Sequence, residues 1–208
     1  MLLVALLIAA AAEAQPDPAP RRPVEAVPAN GVDEPPRRGA FVETALGVFT
    51  TFGGSAGVAN AQPYLSMTVG SVVGEHGALF VSLGIGASAA SCFSTTATGD
   101  CAAADSFGAT FVEAGGSYGL GIALRTLLSL KLVAGMTDLS PGPVRKDNNV
   151  PDHLLGYHVG GGLSLDYDTR LDHFAVGLDA IVRHTRAKAD SSLGLTSLAV
   201  MPRIRYVF

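Results

Sequence analysis

The sequence predicts an all-β protein, an eight-stranded antiparallel up-and-down transmembrane β-barrel over residues 39–208. A signal peptide (1–14) and a disordered Pro/Ala-rich linker (15–38) precede it. Three observations carry the prediction. Apolar residues recur at every second position in segment after segment, the period of a strand. Mean hydropathy is +0.35 and only 15 % of residues are charged, against about 25 % in soluble domains, yet no stretch reads as a membrane-crossing helix. Leu2–Ala12 falls short of the roughly 20 residues such a helix needs, and the charge-free run Gly77–Gly99 is broken by Gly, Ser and Thr. Finally, short and long connections alternate between the segments, as they do in a transmembrane barrel. A chain this apolar without a spanning helix must satisfy its backbone polar groups by closing a sheet on itself.

Taken in order, Met1–Ala14 reads as a secretory signal: an apolar core, then Ala12-Glu13-Ala14 as a small-x-small cleavage site before Gln15. Lys and Arg are missing ahead of the core, and no Cys follows the site to be acylated. The next segment carries Pro16, Pro18, Pro20, Pro23, Pro28 and Pro35-Pro36 with few bulky apolar residues. It cannot bury enough surface to offset the entropy of ordering and reads as an extended spacer.

The first strand, about Ala40 to Thr50, sets Val42, Leu46 and Val48 against Glu43. In the second, about Gln62 to Val73, Leu65, Met67 and Val69 oppose Gln62, Ser66 and Thr68. The third sets Leu79, Val81, Leu83 and Ile85 against Ser82, Gly84 and Gly86. The fourth, Phe107 to Tyr118, carries aromatics on both faces, and Glu113 marks one face as polar. Next, from Leu124 to Met136, Thr126, Leu128, Leu130, Leu132 and Ala134 oppose Arg125, Ser129, Lys131 and Gly135. The sixth sets Leu155, Tyr157, Val159, Leu163 and Leu165 against His158, Gly160, Gly162, Ser164 and Asp166. The seventh sets Phe174, Val176, Leu178, Ala180 and Val182 against Gly177, Asp179 and Arg183. The last strand places Leu198, Val200, Pro202, Ile204, Tyr206 and Phe208 on one face, and Ser197, Ala199, Met201, Arg203, Arg205 and Val207 on the other. Gly74–Gly77, Gly119-Leu120-Gly121 and Asp168–Asp172 are the short connections; Thr51–Ala61, Ser91–Asp105, Asp138–Asp152 and Thr185–Leu193 are the long ones.

Alternation does not itself say which face looks inward. Two features put the apolar face outside. The segments run to about 11–13 residues, matching the 9–11 of membrane strands rather than the 5–6 of soluble ones. The polar face is crowded with Gly, Ser and Ala, as a narrow interior requires. With no Trp in the chain, Tyr64, Tyr118, Tyr157, Tyr167, Tyr206 and the phenylalanines are left to form the interfacial girdles.

The polar face carries Glu43, Glu113, Asp166 and Asp179 with Arg125, Lys131, Arg183, Arg203 and Arg205. Buried charges must pair, so these residues predict a salt-bridge network that fills the lumen; the alternative is a narrow pore. Cys92 and Cys101, the two cysteines, fall in one long connection and read as a disulfide in an exported protein. His153 and His158 have poor spacing for zinc, so neither metal nor cofactor is expected. Net charge is −4 with no basic run, so nucleic acid is not an expected partner.

A last strand ending on an aromatic carboxyl-terminal residue resembles the closing strand of bacterial outer-membrane barrels. The resemblance implies an outer-membrane location, contact with outer-membrane lipid, and recognition of Phe208, Tyr206 and Ile204 by the barrel-assembly machinery. Over Gly39–Phe208 the architecture resembles the small OmpA and OmpX type. The strings Arg37-Arg38-Gly39-Ala40-Phe41-Val42-Glu43, Ser88-Ala89-Ala90-Ser91-Cys92-Phe93-Ser94 and Asp172-His173-Phe174, together with the carboxyl-terminal strand, resemble outer-membrane barrels associated with adventurous gliding motility in myxobacteria. This resemblance implies a non-enzymatic envelope component working through protein contacts made by its surface loops. A lipid A-modifying enzyme is the alternative: His184, with Ser191 and Ser192 following, is similar to the His/Ser/acid set of lipid A deacylases. Their serine lies two residues after the histidine, where this chain has Arg186.

Overall fold

The computed structural model describes residues 39–52, 61–90, 105–140, 152–171, 173–187 and 194–208. The expected signal peptide and linker, Cys92, Cys101, Ser191 and Ser192 lie outside the described residues. Eight strands follow one another: β1 (Ala40–Phe52), β2 (Gln62–Val73), β3 (Gly77–Ala90), β4 (Asp105–Ala123), β5 (Thr126–Ser140), β6 (Leu154–Asp168), β7 (Phe174–Ala187) and β8 (Gly194–Val207). Each pairs antiparallel with the next, and β8 pairs with β1 to close the barrel.

The register shows how the narrow interior is filled. Cα partners traced from Phe41 run through Gly70, Phe80, Gly115, Val133, Gly160, Arg183 and Ser197, and return to β1 at Thr51 rather than at Phe41. That stagger means tilted strands. It also alternates bulky side chains with glycine around the wall. A Cβ on Gly70 would lie 2.4 Å from the Phe41 ring, and one on Gly115 would lie 2.7 Å from the Phe80 ring. Glycine is there because the neighbouring ring occupies its side-chain space.

Parity sorts the two faces. Leu46, Leu79, Leu132 and Val159 point outward at 60–64 % exposure, while Glu43, Lys131, Asp166, Asp179, Arg183 and Arg203 point inward at 6 % or less. A water-soluble barrel would show the reverse. The continuous apolar exterior suits hydrocarbon, where closure leaves no backbone edge unpaired.

Three sequence expectations are corrected. Gly119-Leu120-Gly121 lies within β4, and the chain turns at 124–125 instead. Arg125, expected on the lumen face, sits in that turn with φ of +62°; the alternation of β5 starts one residue after it. Tyr64, expected in a girdle, is 1 % exposed and faces the lumen, as do Phe41, Phe49, Phe80, Phe107 and Phe111. Tyr118, Tyr167, Tyr206, Phe174 and Phe208 do face outward, near the end that carries the short turns and the β8 terminus. Tyr157 stands toward the other end, so the outward aromatics are concentrated on one rim.

Candidate functional site: the ion-paired lumen

Side chains from five strands meet in the half of the lumen nearest the termini. Arg203 on β8 is the hub. Its guanidinium donates to Glu43 on β1 and, at 2.9 Å, to Asp179 Oδ1 on β7; on β6 it donates to Asp166 Oδ1 and to Ser164 Oγ at 2.7 Å. Arg205 Nε donates to Glu43 Oε1. Lys131 Nζ, from β5, donates to Asp179 Oδ2 at 2.7 Å and stands 3.7 Å from Glu43 Oε2. Glu43, Asp166 and Asp179 thus face Lys131, Arg203 and Arg205, and the group is neutral. Period-two alternation turns these charges to one face, the register of the strands brings them to one level, and the closing seam between β1 and β8 is bridged twice through Glu43.

A second cluster lies toward the long connections. Arg183 Nε and Nη2 donate to Glu113 at 2.8 and 2.9 Å, a bidentate pair. His158 Nε2 donates to Glu113 Oε2 at 3.1 Å; in the neutral ring Nδ1 then accepts from Thr137 Oγ1 at 2.8 Å. The Arg183 guanidinium lies 5.1 Å from the Phe111 ring centre and 5.6 Å from that of Tyr64, within cation–π range. Phe49 stacks on Tyr64 at 5.6 Å. Beyond these rings Phe107, Leu139, Leu154 and Leu195 point inward and are buried.

The expected lumen residues are therefore found in two groups, without Arg125. His158, Thr137, Ser164 and Tyr64 belong to the same arrangement and were not among the expected site residues. His158 was on the polar face by parity, and so was Ser164. Tyr64 shares the parity of Ser66 and Thr68, although its aromatic ring reads as a girdle residue.

Between the clusters lies a cavity of about 20 Å³, lined by Glu43, Lys131, Asp179 and Arg203 on one side and Glu113 and Arg183 on the other. That is room for about one water molecule. The hydroxyl, imidazole and carboxylate of Thr137, His158 and Glu113 have the composition of a nucleophilic triad. Yet Arg183 holds the carboxylate, all three side chains are buried, and this cavity reaches neither Thr137 nor His158. His184 points outward and shares a hydrogen bond with Thr196 at 3.1 Å. His153 lies 3.0 Å from Asp138 at an exposed site, while His158 is inside the barrel. Among the described residues no three His, Cys, Asp or Glu side chains gather as metal ligands would.

No protein-family model and no curated protein matches the chain. Solved structures do. Neisserial surface protein A superposes with a TM-score of 0.54 at 13 % identity, covering 81 % of this chain and 97 % of that one. Ail, the attachment invasion locus protein of Yersinia pestis, gives 0.49 at 12 % identity, covering 83 % and 99 %. The N-terminal β-barrel domain of Pseudomonas aeruginosa OprF gives 0.41 at 13 %, covering 81 % and 97 %. The similarity to Neisserial surface protein A is one of fold, that of a closed eight-stranded antiparallel barrel.

Proposed function

We propose that this chain is a non-enzymatic barrel of the bacterial outer membrane, serving the cell envelope as a structural or interaction component. The observation that carries this reading is the inversion of the barrel, apolar outside and ion-paired inside. An apolar exterior is matched to outer-membrane lipid, and a neutral, filled lumen argues for a wall element rather than a channel. With the lipid face and the lumen both committed to stability, contacts with envelope partners fall to the long connections at 53–61, 91–104, 141–153 and 188–193. Residues 91–104 are the first candidate, since a Cys92–Cys101 disulfide would pre-order them and lower the entropy cost of binding. Delivery to the membrane runs through the barrel-assembly machinery, which would read Phe208, Tyr206 and Ile204. Support of gliding motility is the more specific reading, and the local strings that resemble myxobacterial barrels favour it.

The test replaces Cys92 and Cys101 with serine in the full chain and compares outer-membrane abundance with the phenotype of a deletion strain, gliding included where the host glides. Wild-type abundance with the deletion phenotype places recognition in residues 91–104. Wild-type abundance with intact function removes them from the account.

A further inference from the structure

The last residues of the chain are gripped from both flanks. The β7–β8 ladder ends with Phe174 opposite Tyr206, so no β7 residue remains to face Val207. His173 takes that place from the β6–β7 turn. Val207 N–H donates to the His173 carbonyl at 2.8 Å, and His173 Nδ1 lies 2.8 Å from the Val207 carbonyl. A carbonyl only accepts, so Nδ1 carries the proton. The imidazole thus stands in for the missing backbone N–H of the ladder. It can do so because His173 has left the strand, with φ of +75°, a region that L-residues seldom occupy. On the other flank Phe208 N–H donates to the Ala40 carbonyl at 2.9 Å. Gly39, with φ of +144°, comes so close that a Cβ there would lie 2.5 Å from the Phe208 carbonyl oxygen.

An independent feature shows why the terminus needs holding. The β1–β8 register runs from Phe41–Val207 to Ala45–Arg203 and resumes only at Val48–Val200. The break includes Pro202, which has no N–H to donate. Residues 203–208 are therefore tied to β1 by a short stretch of ladder, on the seam that closes the barrel.

We propose that His173 is a positioning residue that seats the end of β8, completing its ladder with the side chain so that the strand stays paired through Val207. This rests on the fold and not on the function proposed above. Three variants of the full chain, refolded in detergent micelles, separate the imidazole from the backbone. His173→Asn keeps a residue that tolerates the left-handed region and a side-chain N–H donor. His173→Gly keeps the backbone freedom and loses the donor, and His173→Ala lacks both advantages. The readout is hydrogen–deuterium exchange at the Val207 amide, with Val133 in mid-barrel as the internal control. Exchange at Val207 should be near wild type in the Asn variant and about tenfold faster in the Gly variant, the loss of roughly one hydrogen bond, with Val133 unchanged in both. The Asn and Gly pair decides the matter even if the Ala variant does not fold. Wild-type protection of Val207 in the Gly variant, or equal loss in the Asn and Gly variants, overturns the proposal.

Discussion

Near the termini the lumen is held by ions; near the long connections it is held by rings and aliphatic side chains. Arg203 engages carboxylates from three strands, and its cluster extends to Arg205, whose side chain is 15 % exposed. The other half contains one bidentate pair, Arg183 with Glu113, set between Phe111 and Tyr64 and roofed by leucines. Burial does not distinguish them, since Arg203 is 3 % and Arg183 0 % exposed; what differs is the company each cation keeps. Three carboxylates share Arg203, whereas Arg183 has one carboxylate, held in bidentate geometry, and lies on two aromatic faces. Each half is close to neutral by itself, so each is expected to answer to mutation separately.

Substitutions that weaken one half should sharpen this contrast. The largest effect is expected for Arg203→Met, which leaves Glu43, Asp166 and Asp179 to be balanced by Lys131 and Arg205 alone. Breaking a buried ionic group of this kind costs about 3–5 kcal/mol, read as a lower urea midpoint for the barrel in detergent micelles. Arg183→Met should cost less, about 1.5–3 kcal/mol, because His158 remains hydrogen-bonded to Glu113. A larger loss for Arg183→Met than for Arg203→Met would reverse the ranking of the two halves.

Gly84→Ala tests the aromatic half by packing alone. Its Cβ would stand 2.0 Å from the Tyr64 hydroxyl oxygen and 2.7 Å from the ring carbon that bears it, so overpacking should cost about 1–3 kcal/mol. Adding Tyr64→Phe removes the nearer atom and should restore part of the loss; strict additivity of the two changes would mean that the ring does not occupy that space. The smallest effect belongs to the Thr51–Ser88 hydrogen bond, 2.6 Å long and buried. Thr51→Val or Ser88→Ala alone should cost about 1 kcal/mol, and the pair together close to nothing, because no buried hydroxyl is then left unpaired. Additive losses in that cycle would show a wider hydroxyl network at this level of the barrel.

Much of this architecture is written in period-two alternation, which is local and strong. Glu43, Lys131, Asp179 and Arg203 can be placed on the inner face from the sequence because each alternates with the outward apolar residues of its strand. Who pairs with whom is not legible there. Arg203 meets Glu43 because the sheet closes on itself, a non-local event set by stagger around the whole barrel. Arg125 shows the limit at an element end, where alternation continues on paper past the point at which the chain has turned. Tyr64 shows another. Its ring is accommodated inside by Gly84 and Gly86 on β3, and that complementarity becomes visible only once β2 and β3 are in register. Parity counted from Ser66 and Thr68 would nonetheless have turned Tyr64 inward. The apolar roof of Phe107, Leu139, Leu154 and Leu195 escapes the same way, since an apolar residue on the polar face looks like noise until four strands bring theirs together.

The interior is closed by its own neutral ion pairs. Wild-type protein refolded into lipid, and shown to be folded by a mobility difference between heated and unheated samples, would be recorded across a planar bilayer. The wild-type chain should show no sustained conductance, because the clusters at Arg203 and Arg183 leave between them a cavity of only about 20 Å³. A stable, ohmic open state in the same folded preparation would contradict it.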